Sequence, residues 1–186
     1  RIKFSFCFTS LQKRAVNTLL IILEKLGEKK IIINKAWQLN ERNYGALTGL
    51  NKDEIKKKYG EKKVLAWRRS WDLPPPPMKT SNPKHPIHNN LYSNIEQEKI
   101  LDSESLRDTY NRVIPFWEKN IRPLLRIKNN IIICAHGNSL RGLYKELFNI
   151  NNKQIADLEI PTGNPLIIKF DENLEIDKYF YLNKKR

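Results

Sequence analysis

The chain of 186 residues carries 34 Lys and Arg against 20 Asp and Glu, a net charge of +14, with 40% hydrophobic and 10% aromatic residues. That length predicts one domain with a substantial core of its own. No apolar run approaches the roughly 18 residues of a membrane span, so a membrane partner is not expected.

In chain order, Arg1-Ile2-Lys3 leads straight into an expected strand, Phe4 to Phe8, with no signal-peptide pattern. Thr9-Ser10 ends that strand and caps a helix to about residue 27, with Val16, Leu19, Leu20, Leu23 and Leu26 on its buried side. Arg14 falls in the first turn, where an arginine is either a surface residue or a clamp for phosphate. Gly27 stops the helix and Ile31-Ile32-Ile33 begins a second strand. From Ala36 to Lys52 no period is sustained, and a long irregular loop is expected. Loops of this kind in compact domains are usually functional or disordered, and Trp37, Leu39, Tyr44 and Leu47 argue against disorder. Glu41 beside Arg42 reads equally as a surface ion pair or as a carboxyl placed to pass a proton.

Two short helices follow, Asp53 to Tyr59 and Glu61 to Trp71, the second with Val64, Leu65, Trp67 and Trp71 on its apolar side. Arg68-Arg69 lies between the tryptophans, either snorkelling at a surface or forming an anion site. Pro74-Pro75-Pro76-Pro77-Met78 forces an extended segment. Residues 79–100 form a long surface excursion in which His85 and His88 are expected to face solvent. Ser103-Glu104-Ser105-Leu106 opens a helix toward Ile127 that Pro115 should bend or interrupt.

Ile131-Ile132-Ile133-Cys134-Ala135 reads as a parallel strand covered on both faces. It runs into His136-Gly137-Asn138-Ser139 and a helix marked by Leu140, Leu143, Tyr144, Leu147 and Phe148. Gly137 would permit a sharp turn, and Asn138 or Ser139 would cap the helix. His136 then leaves the carboxyl end of a strand beside a helix N-terminus, the edge where ligands of open α/β sheets bind. By residue type alone a lone histidine is more often structural; this context favours function. Ile155 to Leu158 is a helical turn, Leu166 to Phe170 a strand, Asp171-Glu172-Asn173 a turn and Glu175 to Leu182 the last strand. Cys7 and Cys134 fall in central strands, as small buried hydrophobes of a reducing cytoplasm, and no metal site is expected. Alternating strands and helices predict a three-layer α/β/α sandwich with a mainly parallel central sheet.

The basic excess invites a nucleic-acid partner. The 23 lysines, however, are scattered in short runs such as Lys29-Lys30, Lys56-Lys57-Lys58, Lys62-Lys63 and Lys184-Lys185. Such runs are usually solvated faces, and no nucleic-acid module is present. A bias that includes 20 Asn and 22 Ile also suits an AT-rich coding sequence. Arg14, Arg42, Arg68, Arg69 and Arg141 instead concentrate in the segments singled out above. Guanidinium groups grip phosphate and carboxylate through paired bonds, so a small polyanion is expected before a nucleic acid.

Several segments together resemble the cofactor-dependent phosphoglycerate mutases of the histidine phosphatase superfamily. They are Thr9-Ser10-Leu11-Gln12-Lys13-Arg14-Ala15, the run from Leu39 to Lys52, Trp67-Arg68-Arg69-Ser70, Pro74 to Met78, Ala135 to Gly142 and Pro161-Thr162-Gly163. The resemblance implies interconversion of 3-phosphoglycerate and 2-phosphoglycerate through a phosphohistidine, primed by 2,3-bisphosphoglycerate, without a metal. It implies that Glu41 donates and accepts protons and that His136 stabilises the phosphoryl group in transfer. It further implies that Arg14, Arg42, Asn43, Tyr44, Lys52, Arg68, Arg69, Gly137 and Asn138 bind the substrate, as does Glu41. Such enzymes are cytoplasmic and often dimers or tetramers.

The family's nucleophilic histidine lies in an Arg-His-Gly motif on a first strand, and these 186 residues hold no such motif. They are therefore expected to be one truncated domain that lacks the first strand and the nucleophile, and to show no mutase activity alone. A phosphatase-like relative with the same pocket and a non-catalytic basic binding module stay open as alternatives.

Overall fold

A computed structural model describes residues 2–28, 30–127 and 129–183. Lys29, Lys184 and Lys185 of the basic runs lie outside them. Three short strands, β1 (Phe6–Thr9), β2 (Ile32–Lys35) and β3 (Ile131–Cys134), form a parallel sheet in the order β2-β1-β3. The register pairs Phe6 with Ile32 and Ile131, and Thr9 with Lys35 and Cys134. β1 is the central strand, and Cys7, Phe8 and Thr9 are buried. β3, expected to be enclosed, is half-buried along its length, and Ile32 on β2 is 60% exposed. Among the described residues each of the two has β1 as its only strand neighbour.

Helices cover both faces because alternate side chains point to opposite sides. Cys7, Ile132 and Cys134 meet Leu19 and Leu23 of α1 (Lys13–Leu26). On the other face Phe8, Ile131 and Ile133 join Val113 of α4 (Leu106–Phe116) and Leu143 of α6 (Gly137–Leu147). Layering is thus helix, sheet, helix, as the alternation of elements predicts. Gly142 lets α6 come within 3.4 Å of the Tyr110 main chain on α4, measured to where a Cβ would stand.

α1 starts at Lys13, not directly after Ser10, and Gln12 is its N-cap residue without a side-chain cap bond. Its buried positions are Ala15, Leu19 and Leu23; Leu20 faces outward. The sheet covers a narrower arc of this helix than its apolar content suggests. Pro115 lies inside α4, and a π-helical turn spans Trp117–Ile121 before the short α5 (Arg122–Leu125). Proline cannot donate to the carbonyl four residues back, so α4 lacks that bond, and the widened turn that follows keeps Trp117 and Ile121 in the core.

α2 (Lys52–Tyr59) and α3 (Glu61–Arg69) enclose a second small core of Leu47, Ile55, Val64 and Trp67. The excursion from 79 to 100 contains three 3-10 turns. It is not wholly superficial. His85 is 1% exposed, its Nε2 lies 3.1 Å from Asp102 and its Nδ1 accepts the Ile87 N–H. This corrects the solvent-facing expectation for His85; His88 is exposed. β4 (Leu166–Phe170) and β5 (Ile176–Tyr181) pair antiparallel and form a separate two-stranded sheet. Among the described residues no helix is long and apolar enough to cross a membrane.

Candidate active site

The parallel register places the carboxyl ends of β1 and β3 side by side, and the Thr9 hydroxyl donates to the Cys134 carbonyl at 2.7 Å. Ser10 and His136 follow at that edge. His136 Nε2 lies 2.8 Å from Ser10 Oγ, and its Nδ1 accepts from Arg14 Nε at 3.0 Å. A guanidinium only donates, so Nδ1 carries the lone pair and Nε2 the proton. The imidazole is therefore neutral. Burial, and then the Arg14 charge, push its pKa down to about 4. Ser10 thus orients His136 instead of capping α1, though its Oγ also accepts the Gln12 N–H. Ser139 closes the turn by accepting the His136 N–H and donating to its carbonyl. His136 itself occupies the N-cap position of α6. Gly137 has no positive φ, and a Cβ there would meet nothing within 4 Å, so what it leaves is open space above the helix N-terminus.

The irregular loop arrives from the other side. Asn138, buried on the first turn of α6, donates its Nδ2 to Glu41 Oε1 at 2.9 Å and to the Tyr44 hydroxyl at 3.0 Å. Arg141 donates Nη1 to Asn138 Oδ1, which decides which end of that amide faces Glu41. The same Glu41 oxygen accepts the Arg42 N–H. Arg42 is only 2% exposed. Its Nη2 donates to the Arg68 carbonyl, and its guanidinium stacks 4.6 Å from the Tyr44 ring centre. Its Nε and Nη1 are buried and meet no group in good hydrogen-bond geometry, the Tyr44 hydroxyl being an acceptor on which the guanidinium acts. Burial raises the Tyr44 pKa, but the Arg42 cation and the Asn138 amide outweigh it and the net direction is down. Burial and then neighbouring Arg69 lower the pKa of Arg141. Arg69 and Arg141 both donate to the Leu158 carbonyl, and Arg69 also pairs with Glu159.

The structure thus joins Arg14, Glu41, Arg42, Tyr44, Asn138 and His136 through a few bonds and sets Arg69 beside them. Three expected residues stand apart. Arg68 contributes its carbonyl, Asn43 turns its amide onto Leu101 and Gly45, and Lys52 opens α2 as an exposed side chain outside the network. Ser10 and Arg141 take parts that sequence reading did not assign. The Arg141 segment was a signal of its importance; Ser10 stood in the Thr9–Ala15 segment but was read only as a helix cap.

A cluster of guanidinium groups around a neutral, fully bonded imidazole at a parallel sheet edge is suited to holding a phosphoryl group. The histidine phosphatase superfamily (branch 1) profile matches residues 1–177, and the chain belongs to that superfamily. Within it, the chain is 50% identical over its whole length to a 2,3-bisphosphoglycerate-dependent phosphoglycerate mutase of Pelagibacter ubique, covering 78% of that protein. It is 51% identical over 96% of its length to a protein of the same name from Buchnera aphidicola, again covering 78%. A mycobacterial glucosyl-3-phosphoglycerate phosphatase, solved with VO3, has the same fold, with a TM-score of 0.65 over 96% of this chain and 75% of that one at 17% identity.

Proposed function

We propose that this chain works in the interconversion of 3-phosphoglycerate and 2-phosphoglycerate, with 2,3-bisphosphoglycerate as the primer. The observation that carries the reading is Arg42. A buried guanidinium with Nε and Nη1 unpaired is costly unless an anion completes it. It stands next to Glu41, a carboxylate hydrogen-bonded to Asn138 at this edge. A substrate with one phosphate and one carboxylate matches two separated cationic points, Arg14 beside His136 and Arg42 beside Arg141 and Arg69. Close agreement in sequence with two mutases supports the same choice.

In this reading Glu41 accepts and returns the proton of a substrate hydroxyl, its Oε1 held by Asn138 and the Arg42 N–H. Arg14 faces the equatorial oxygens, where negative charge is concentrated during transfer, and the Nε2–H of His136 reaches them only by leaving Ser10 Oγ. Gly137 leaves room and a helix N-terminal N–H for the same group. Arg42, Arg69, Tyr44 and Asn138 orient the carboxylate end, and Asn43, Lys52 and Arg68 enter as substrate-binding positions only if their side chains turn inward. When bound, 2,3-bisphosphoglycerate supplies the phosphoryl group that primes a histidine. Arg14, Arg42 and His136 are the residues that would hold it. None of the three histidines suits the nucleophile: both ring nitrogens of His136 and of His85 are engaged, and His88 lies in the excursion, with Nε2 on the Thr80 carbonyl.

Calorimetric titration with 3-phosphoglycerate tests the reading. Binding displaced by 2,3-bisphosphoglycerate and weakened about a hundredfold in Arg42→Met is expected; a wild-type chain that binds neither would overturn it. Labelled bisphosphoglycerate is expected to leave no label on His136. Phosphate release without isomerisation, in a protein that also carries the nucleophile, would favour a phosphatase instead.

A further inference from the structure

Glu104 and Arg112 form an ion pair that no motif in the sequence singles out. Arg112 Nε donates to Glu104 Oε1 at 2.6 Å and Nη2 to Oε2 at 3.0 Å, and each side chain is 9% exposed. The remaining guanidinium bonds all run to main chain of the irregular loop. Nη1 donates to the Gln38 carbonyl at 2.5 Å and Nη2 to the Asn40 carbonyl at 3.0 Å, with longer bonds to those of Trp37 and Glu41 at 3.4 Å. Glu104 takes hold of the other end. Its Oε2 accepts the Asn43 N–H at 2.7 Å, and its own N–H donates to the Asn43 carbonyl at 2.8 Å. Glu41 and Arg42 therefore lie between two clamped stretches of backbone.

This loop has neither a strand nor a long helix to satisfy its carbonyls, and buried backbone groups need partners. One planar guanidinium with five donors can serve several carbonyls at once, which a lysine cannot. Relative to apolar side chains a buried ion pair adds little net stability. Ending on backbone at both sides, it gives geometry instead. We propose that Arg112 and Glu104 are positioning residues: they hold the loop so that Glu41 meets Asn138 and the Arg42 guanidinium stays buried under the Arg68 carbonyl. The ligand arm of the test rests on the phosphoglycerate reading; the loop arm does not.

Amide hydrogen exchange and calorimetry on Arg112→Lys decide it. Exchange at Asn43 should quicken by about tenfold or more while amides of β1 stay protected, because β1 is held by its ladders to β2 and β3 and not by the pair. Affinity for 3-phosphoglycerate should fall by about tenfold, with inorganic phosphate, bound at Arg14 and His136, changed by less than about twofold. Glu104→Gln keeps the shape and gives the same readouts if the first variant does not fold. Unchanged Asn43 exchange in a folded variant overturns the proposal, as does quickening spread equally over β1. If the wild-type chain binds no 3-phosphoglycerate, the functional reading fails and the exchange measurement still decides the positioning.

Discussion

The Nε of Arg14 donates to the Nδ1 of His136 at 3.0 Å, across 122 residues of sequence. This contact sets the tautomer of the imidazole and, together with burial, keeps it uncharged. His136 is therefore a proton-bearing donor through Nε2 at neutral pH and not a cation. A nuclear magnetic resonance titration should place its pKa near 4, and a value at or above the ordinary 6.5 would refute this account of the site.

The same shift has a consequence for stability. A histidine whose folded pKa is depressed takes up a proton in the unfolded chain first. Its contribution is fully present above pH 6.5 and is lost as pH falls toward 4. The loss falls within that window because the unfolded chain takes up the proton first. Urea unfolding at several pH values should show this slope, and His136→Gln should flatten it.

Arg42→Met should separate stability from binding. Removing a buried cation with two unpaired nitrogens is expected to leave the unliganded fold unchanged or stabilise it by about 1 kcal/mol. Affinity for 3-phosphoglycerate should drop by about a hundredfold, the loss of one charged contact worth about 3 kcal/mol. Thermal unfolding and calorimetry on one preparation read both.

Gly45 has a φ of +52°, and a Cβ there would collide with the Pro76 carbonyl and press on Ser103. Ala46 donates its N–H to that same carbonyl, so the loop and the proline segment are in close contact. Gly45→Ala should destabilise by about 3 kcal/mol through strain and collision together. Gly49, also at positive φ but with open space around it, should cost less when changed, about 1 kcal/mol. Equal effects in denaturant titration would contradict the packing argument.

His85→Ala should remove the bond that ties the excursion to Asp102 and the one that holds the turn at the Ile87 N–H. A loss of about 2 kcal/mol is expected from the buried cavity and the unpaired groups. Limited proteolysis should then cut between residues 79 and 100 faster than in the wild type.

Sequence alone determined most of the succession of elements and singled out several of the residues that meet at the β1–β3 edge. Unalternating runs such as Ile131 to Cys134 report a strand with a helix layer on each face, though β3 is only half-buried, and the His136–Gly137 turn reports a strand ending at a helix. These are local patterns, because side-chain direction repeats every two residues in a strand and every 3.6 in a helix. Arg14, Glu41, Arg42 and His136 were legible as a set through their motifs. Their partners were not. Ser10 as the acceptor of His136, Arg141 as the orienter of Asn138, His85 as a buried staple and Arg112 as the anchor of the loop all depend on which donors and acceptors meet far from each other in the chain. Periodicity carries no information about such meetings. Only the folded chain decides them, because a buried polar group takes whichever partner the packing leaves within reach.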